Sequence, residues 1–592
     1  MQIIIGMTKE ILYPTIFVLV LSQIWYKPQK NQKICLESLS LNIGLNLFII
    51  LQLSLIMGIN HRSPRMLMVV LLIVGAGNLI FRPNFIVNIL KALSVIIPMG
   101  LLSAWGKIPW LITSLSRSNG KAIWATWNID VISWSAIVNE FLISGYGPSG
   151  HLAGVNAYAY NHEAPSIPIF GSAISTWFNL ESWEAASISL SAAFVISTLI
   201  LAAFIQKIIP ELSTTKCLLV AGTTMSTAFV NYNFNSLFFA QILSLGIFCL
   251  IIIHTISLIK DSNPRLTAYF YQITLIPLSA YVYPALLLPV CAVCSTLLVG
   301  VICLKPRKFH NLTYYVGCNI IGVLICYPQL QKAISQAKYF ANVEAGWRLE
   351  PMNPYTWIFG SSYIQSDFKM PIYLNALQWL GFLMAVILLS RKVYKSQKIL
   401  TPIIILFTNL VVVGAFLLYK SDTSSYQSWK FASYFTPIIL AIIFAMIASS
   451  SVKSIWLLPI GLSIITIPLT YLNRASGSTS YLSTEMVHLS ELDYLKSFKK
   501  LNISASPYWE NMMLSVMIDG AEINPIASDL WKNSPDYGIP TVMLRSEAED
   551  LVTEPLVGPY VLYIPNKQGR TVHQRKVFEM CVRKNKPLPE IC

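Results

Sequence analysis

The chain has 592 residues, of which 55% are hydrophobic and 12% are charged. A soluble globular protein carries roughly 25% charged residues, so this balance excludes that class and indicates a polytopic membrane protein. The formal net charge is +15, but the lysines and arginines lie in short segments between apolar runs. This spacing favours a positive-inside topology over a nucleic-acid-binding surface.

The apolar runs are near the length of about twenty residues that crosses about 30 Å of hydrocarbon. They predict about fourteen transmembrane helices in an all-α polytopic domain over residues 1–472. The runs are 11–26, 39–59, 66–82, 84–105, 184–205, 216–231, 237–259, 266–281, 283–303, 312–327, 372–390, 400–419, 430–449 and 454–472. Carboxylates are absent from the interior of these runs, which weighs against an ion-coupled transporter with a site near the midplane.

Basic residues gather at one set of ends of the predicted helices, and the positive-inside rule assigns that side to the cytoplasm. They are Lys27, Lys30 and Lys33; Lys207 and Lys216; Lys260 and Arg265; Lys305, Arg307 and Lys308; Arg391, Lys392, Lys395 and Lys398; and Lys453. The opposite side then holds two large loops, 106–183 and 328–371, and the polar tail. We therefore expect a multi-pass protein of the plasma membrane with an extracytoplasmic C-terminal domain.

The tail, residues 473–592, is richer in charge than the preceding chain. Two short runs within it, Thr541 to Leu544 and Tyr560 to Ile564, are typical of strands between helical segments. The tail is long enough to form one small core, so we expect a small soluble α/β domain. Cys581 and Cys592 close the chain on the extracytoplasmic side, where a disulfide is stable.

The first outer loop gathers the residues best suited to chemistry. Apolar side chains recur near helical spacing from Val131 to Leu142, and Ser135 and Glu140 occupy positions between them. This pattern predicts a helix that lies in the membrane interface with its polar face in water and Asp130 at its amino-terminal end. Asp130 fits two interpretations, a helix N-cap and a catalytic or ligand-binding carboxylate.

Six further residues are candidates for binding a sugar or a lipid phosphate: His151, His162, Glu344, Arg348, Tyr426 and Lys430. The first four lie in the two outer loops, where an ordinary solvated side chain is the alternative interpretation. Lys430 enters a span at its outer end, with Tyr426 one helical turn away. It either extends to the headgroups or holds a phosphate. The sequence indicates no metal site, and a divalent metal cofactor is left open.

Many apolar spans, an acid in the first large outer loop beside an interfacial helix, and a soluble domain at the carboxyl end resemble the GT-C superfamily of integral-membrane glycosyltransferases. In that superfamily an Asp or Glu of the first large external loop acts at the acceptor, and the donor is usually a polyprenyl-phosphate sugar. Asp130 is the matching position. Many members carry paired acids after the first span, whereas this chain has a single acid after the fourth predicted span.

The resemblance implies transfer of a hexosyl or pentosyl group from a polyprenyl-phosphate donor to a hydroxyl of a glycan or lipid acceptor at the outer membrane face. Asp130 would act as the general base with inversion at the anomeric carbon, and Lys430 or Arg348 would stabilise the leaving phosphate. Two alternatives are a polymerase or ligase of lipid-linked glycans, which would depend on His151, His162 and Arg348, and a lipid or glycan flippase. Membrane lipids are expected partners and nucleic acid is not.

Overall fold

The computed structural model describes about half of the chain. The described residues are 2–24, 36–81, 85–117, 130–146, 164–227, 230, 239–260, 266–284, 309–342, 373, 377, 380, 384, 387, 425–449, 500–504, 522–525, 541–544, 560–564 and 573–575. The predicted spans 400–419 and 454–472 lie outside them, as do Cys581, Cys592 and nearly all of the predicted spans 283–303 and 372–390.

Thirteen helices form within the described residues. They are α1 (Gln2–Leu21), α2 (Leu36–Ile59), α3 (Arg65–Ile80), α4 (Phe85–Arg117), α5 (Asp130–Ser144), α6 (Ser166–Phe178), α7 (Ser182–Ile208), α8 (Thr214–Met225), α9 (Phe239–Lys260), α10 (Leu266–Val282), α11 (Phe309–Ile325), α12 (Tyr327–Asn342) and α13 (Ser425–Ala448). Four contain segments long and apolar enough to cross a membrane: Ile4–Leu21, Leu36–Ile59, Ser182–Ile208 and Phe239–Leu258. Shorter apolar segments lie in α3, α4, α11 and α13. The helical membrane architecture agrees with the sequence, and the number of fourteen spans stays a prediction.

Helix α7 forms the centre of the bundle and is buried along nearly its whole length. It packs closely against α9, where a Cβ atom added to Gly246 would lie 2.8 Å from the Cα of Ser197. The Ser197 hydroxyl donates a hydrogen bond of 2.7 Å to the Ile242 carbonyl. Small and hydroxyl-bearing residues at such a crossing let helices approach closely in a membrane. Helices α1, α2, α4, α5 and α6 also pack on α7.

One end of the bundle carries Lys207 and Lys216, two of the basic residues that the sequence assigned to the cytoplasm. Lys207, at the end of α7, lies 2.9 Å from the carboxylate of Glu37, in the first turn of α2. Ser257, near the end of α9, donates to the same carboxylate at 2.9 Å. Lys216, near the start of α8, lies 3.4 Å from the carbonyl of Ala448, the last residue of α13. We call this the inner end, and the opposite end the outer end.

Helices α4 and α8 have bounds that differ clearly from those of the predicted spans. Helix α4 continues to Arg117, although the prediction placed 106–117 in a loop. Lys107 ends the apolar run but not the helix, so hydropathy alone placed the end of this helix too early. Helix α8 is shorter than the predicted span 216–231 and ends at Met225. The hydroxyls of Ser226 and Thr227 bond to carbonyls of the last turn of α8, which ends the helix there.

A five-stranded sheet lies in the C-terminal region. Its strands are β1 (Lys500–Ser504), β2 (Glu522–Pro525), β3 (Thr541–Leu544), β4 (Tyr560–Ile564) and β5 (His573–Arg575). The order is β2-β1-β3-β4-β5. Strand β1 is parallel to β2 and β3, and the two remaining pairings are antiparallel. The two predicted strands coincide with β3 and β4. The helices predicted between them lie outside the described residues, and the small α/β domain stays a prediction.

Candidate active site

Helix α5 begins at Asp130, as the sequence predicted. The first residue of a helix is a position at which the unpaired N–H groups and the helix dipole favour an acidic residue. The helix ends at Ser144 and is followed by Gly145, which has a φ of +63°. Its N–H still donates to the carbonyl of Phe141 at 3.0 Å. A residue in this left-handed conformation is a common way to end a helix, and glycine adopts it without a Cβ penalty.

The carboxyl end of α5 is seated on the turn that follows α2. The N–H of Tyr146 donates to the carbonyl of Gly58 at 3.0 Å. The hydroxyl of Ser63 donates to the carbonyl of Leu142 at 2.6 Å. A Cβ atom at Gly145 would lie 2.9 Å from the Cα of Gly58, so the two backbones are in direct contact. Because α2 starts at the inner end, this turn lies at the outer end.

The amino end of α5 is seated on the start of α9. The ring of Trp134 meets the ring of Phe239 edge to face, with the ring centroids 6.3 Å apart. Phe239 is the first residue of α9, whose last residues lie at the inner end. Asp130 precedes Trp134 by one helical turn. Helix α5 therefore runs across the outer end of the bundle, with Asp130 on the side of α9.

The prediction that the polar face of α5 lies in water was wrong. Ser135 and Glu140, which the sequence placed on that face, are fully buried. Among the described side chains of α5, Ile143 is the exposed one, at 38% of its surface. The reason is tertiary: α6 and α7 both pack on α5, and Val138 lies directly against Gly171 of α6. Helix α5 is thus covered by protein on the side that a single amphipathic helix would leave in water.

Helices α6 and α7, which both pack on α5, meet at a sharp corner. The chain turns at Asn179, which has a φ of +50°. The Ser175 hydroxyl donates to the carbonyl of Leu180 at 2.6 Å and holds the turn closed. In the last turn of α6, the indole N–H of Trp177 donates to the carbonyl of Met68 in α3 at 2.8 Å. These bonds fix the corner to the outer half of α3.

A cluster of polar residues joins α1 to the first turns of α7, which begins at the outer end. We call Lys9, Glu10, Glu184, Ser187 and Ser191 the α1–α7 polar cluster. The fully buried Glu10 carboxylate accepts hydrogen bonds from Ser187 at 2.6 Å and from Ser191 at 2.9 Å. Lys9 lies 3.3 Å from Glu184, whose side chain is 6% exposed.

The sequence analysis missed this α1–α7 polar cluster. The first apolar run was started at residue 11, whereas the membrane-length segment of α1 begins at Ile4 and contains Glu10. A carboxylate therefore lies inside a membrane-length segment of the structure, one residue before the predicted span 11–26. The available signal was a pair of serines four residues apart, Ser187 and Ser191, on an otherwise apolar helix.

Two of the six residues predicted to bind a sugar or a lipid phosphate lie within the described part of the chain. Tyr426 and Lys430 lie in the first turns of α13. Lys430 precedes Ala448 by 18 residues, which corresponds to about 27 Å along a helix. Since Ala448 lies at the inner end, Lys430 lies at the outer end, as predicted. His151, His162, Glu344 and Arg348 lie outside the described residues and stay predictions.

Helix α12 occupies the start of the predicted outer loop 328–371. Burial of Lys332 in this helix lowers the pKa of its ammonium group below the usual range. Within the part of the chain that the structure describes, no group of three His, Cys, Asp or Glu side chains has the spacing of a metal site.

No protein-family model and no curated protein matches this sequence. Among solved structures, it is similar to the archaeal oligosaccharyltransferase AglB from Archaeoglobus fulgidus, in complex with an inhibitory peptide and a dolichol-phosphate. The identity is 10% and the TM-score 0.41, over 77% of this chain and 69% of that chain. ArnT from Cupriavidus metallidurans in the apo state has 10% identity and a TM-score of 0.42, over 78% of this chain and 96% of that chain.

Both are GT-C superfamily membrane glycosyltransferases. TM-scores near 0.4 transfer neither an activity nor individual residues to this chain.

Proposed function

We propose that this protein is a membrane glycosyltransferase that moves a sugar from a polyprenyl-phosphate donor to an acceptor hydroxyl at the extracytoplasmic face. The observation that carries the proposal is the position of Asp130. It is the first residue of α5, and α5 lies across the outer ends of α2 and α9. A lipid-linked sugar is confined to the bilayer, so its reacting carbon lies at this depth.

In the proposed reaction the acceptor oxygen attacks the anomeric carbon and a new C–O bond forms. The bond between that carbon and the phosphate oxygen breaks, and its electron pair leaves with the polyprenyl phosphate. The acceptor proton passes to the carboxylate of Asp130, which acts as general base. A single displacement of this kind inverts the configuration at the anomeric carbon. The products are the glycosylated acceptor and polyprenyl phosphate.

Positive charge near the leaving phosphate supports the same proposal. Lys430 lies at the outer end of α13, with Tyr426 one turn before it. An ammonium group placed at this depth stabilises the charge that develops on the phosphate as the bond breaks. Arg348 in the second outer loop is proposed for the same role. Holding both substrates at the interface supplies a further part of the rate enhancement.

The test is release of undecaprenyl phosphate from a panel of undecaprenyl-phosphate monosaccharides by the full chain in lipid nanodiscs. Asp130→Asn should lower the rate by about 10² or more, since a positioned general base contributes 10²–10⁴. Glu181→Gln is the matched control, because Glu181 is an exposed acid just before α7 at the same end. Full activity of Asp130→Asn in correctly folded protein would exclude Asp130 as the base.

A further inference from the structure

Glu10 holds α7 through two separate hydrogen bonds. One carboxylate oxygen accepts from Ser187 and the other from Ser191. These serines are four residues apart, so they lie on one face of α7 about 6 Å apart along its axis. A shift of α7 by one residue turns that face by about 100° and breaks both bonds. The fork of Glu10 therefore fixes both the height and the rotation of α7.

Glu10 is fully buried. A buried carboxylate is costly unless hydrogen bonds compensate its lost hydration, and an apolar contact is usually the more stable choice. Residues of this kind are retained in some proteins because they specify one arrangement among several. The α1–α7 polar cluster has the geometry for such a role, because its bonds join two helices that are distant in sequence. Ser187 and Ser191 lie 177 and 181 residues after Glu10.

Helix α1 also contacts the chain on both sides of Asp130. Before Asp130, Gly100 of α4 approaches Thr15 so closely that an added Cβ would lie 2.7 Å from the threonine hydroxyl. After Asp130, Tyr13 stacks on Phe178 at the end of α6, with the ring centroids 4.5 Å apart and an interplanar angle of 8°. Two nearly opposite faces of α1 thus meet the helix that leads into the Asp130 segment and the end of α6, the helix that packs on α5.

We propose that Glu10 is a positioning residue for the outer site. By fixing the start of α7, it fixes α7 and, through the corner, α6. Both helices pack on α5, whose first residue is Asp130. This inference rests on the proposed function for its catalytic consequence, whereas its structural part stands without it. A displacement of about 1 Å at a reacting group can lower a rate about 10²-fold.

The experiment compares Glu10→Ala with Glu37→Ala in the full chain in nanodiscs. Glu37 is a matched control because it also binds α7 through a carboxylate, but at the inner end through Lys207. Hydrogen–deuterium exchange is measured over α5, together with the kcat and KM for release of undecaprenyl phosphate. The double variant Ser187→Ala/Ser191→Ala removes the same bonds from the other side and serves if Glu10→Ala does not fold.

The proposal expects Glu10→Ala and the double serine variant to speed exchange in α5 by about tenfold or more, because local opening becomes easier. The kcat should fall about 10²-fold, with the donor KM within about twofold. Glu10→Gln should recover part of the kcat. Exchange in α5 at the wild-type rate in Glu10→Ala, or an equal acceleration in Glu37→Ala, would overturn the proposal. If the wild-type protein transfers no sugar, the proposed function fails while the exchange comparison still decides the positioning role.

Discussion

The two ends of α7 are held by the same kinds of residue in opposite surroundings. At the inner end, Lys207 and Glu37 form an ion pair whose side chains are 23% and 28% exposed. At the outer end, Glu10 is fully buried and bonded to two serines, and Glu184 is nearly buried beside Lys9. The ion pair at the inner end joins the ends of α7 and α2 at a part-exposed site. The α1–α7 polar cluster at the outer end holds carboxylates inside the protein.

This difference indicates where the fold is specified most tightly. A part-exposed ion pair is screened by water and contributes little stability, so its geometry has room to vary. A buried carboxylate with two donors tolerates little movement, because each lost bond leaves a polar group without compensation. The tighter end is the one that supports α5 and Asp130.

Removal of Glu10 should lower the free energy of unfolding much more than removal of Glu37. The two variants to compare are Glu10→Ala and Glu37→Ala. Glu10→Ala leaves two buried serine hydroxyls without their acceptor and should cost about 3 kcal/mol. Glu37→Ala removes a part-exposed pair and should cost about 1 kcal/mol or less. Reversible unfolding in mixed detergent micelles measures both. Equal losses would show that the two ends of α7 do not differ in the way described.

A smaller loss of unfolding free energy is expected when the contact between α5 and the turn after α2 is disturbed. Gly145→Ala adds a Cβ at a positive φ and against the backbone of Gly58, so it should cost about 1–3 kcal/mol. Gly77→Ala in α3 is the matched control, since nothing lies within 4 Å of the added atom. There the alanine should be neutral or stabilise the helix by about 0.5–1 kcal/mol. A neutral Gly145→Ala would mean that α5 is not seated on the turn after α2.

The smallest effect concerns pH and Lys332 at the outer side. Burial lowers the pKa of Lys332 from its ordinary value of 10.5. Between the lowered value and 10.5 the unfolded chain binds more protons than the folded one, so stability should rise with pH through that window. Lys332→Met should remove this rise in thermal unfolding followed across the alkaline range. An unchanged rise in the variant would assign it to another group.

Much of the outer site was predictable because its signals are local. Helical spacing of the apolar residues and an acid before them predicted α5 with Asp130 at its start. Two short runs in the polar tail predicted β3 and β4. The burial of Ser135 and Glu140 was not predictable in this way, because it depends on α6 and α7, which follow in sequence and fold back over α5. Periodicity records which face of a helix is apolar, and it does not record whether protein covers the polar face.

The α1–α7 polar cluster was missed for a related reason. Glu10 interrupts the apolar character of α1, so a search by composition places it outside the span. Its two donors lie more than 170 residues away, and serines on an apolar helix are common enough to pass unnoticed. Pairing across that separation is a property of the packed bundle.

Where the lipid phosphate binds can be seen in a cryo-electron microscopy structure of the full chain in nanodiscs with undecaprenyl phosphate added. Lipid phosphate density is expected at the outer end, between the start of α5 at Asp130 and the first turns of α13, within reach of Lys430. Phosphate density at the inner end beside Lys207 and Lys216, or Asp130 facing bulk solvent above a polar tunnel through the bundle, would contradict a transferase that acts at the outer face.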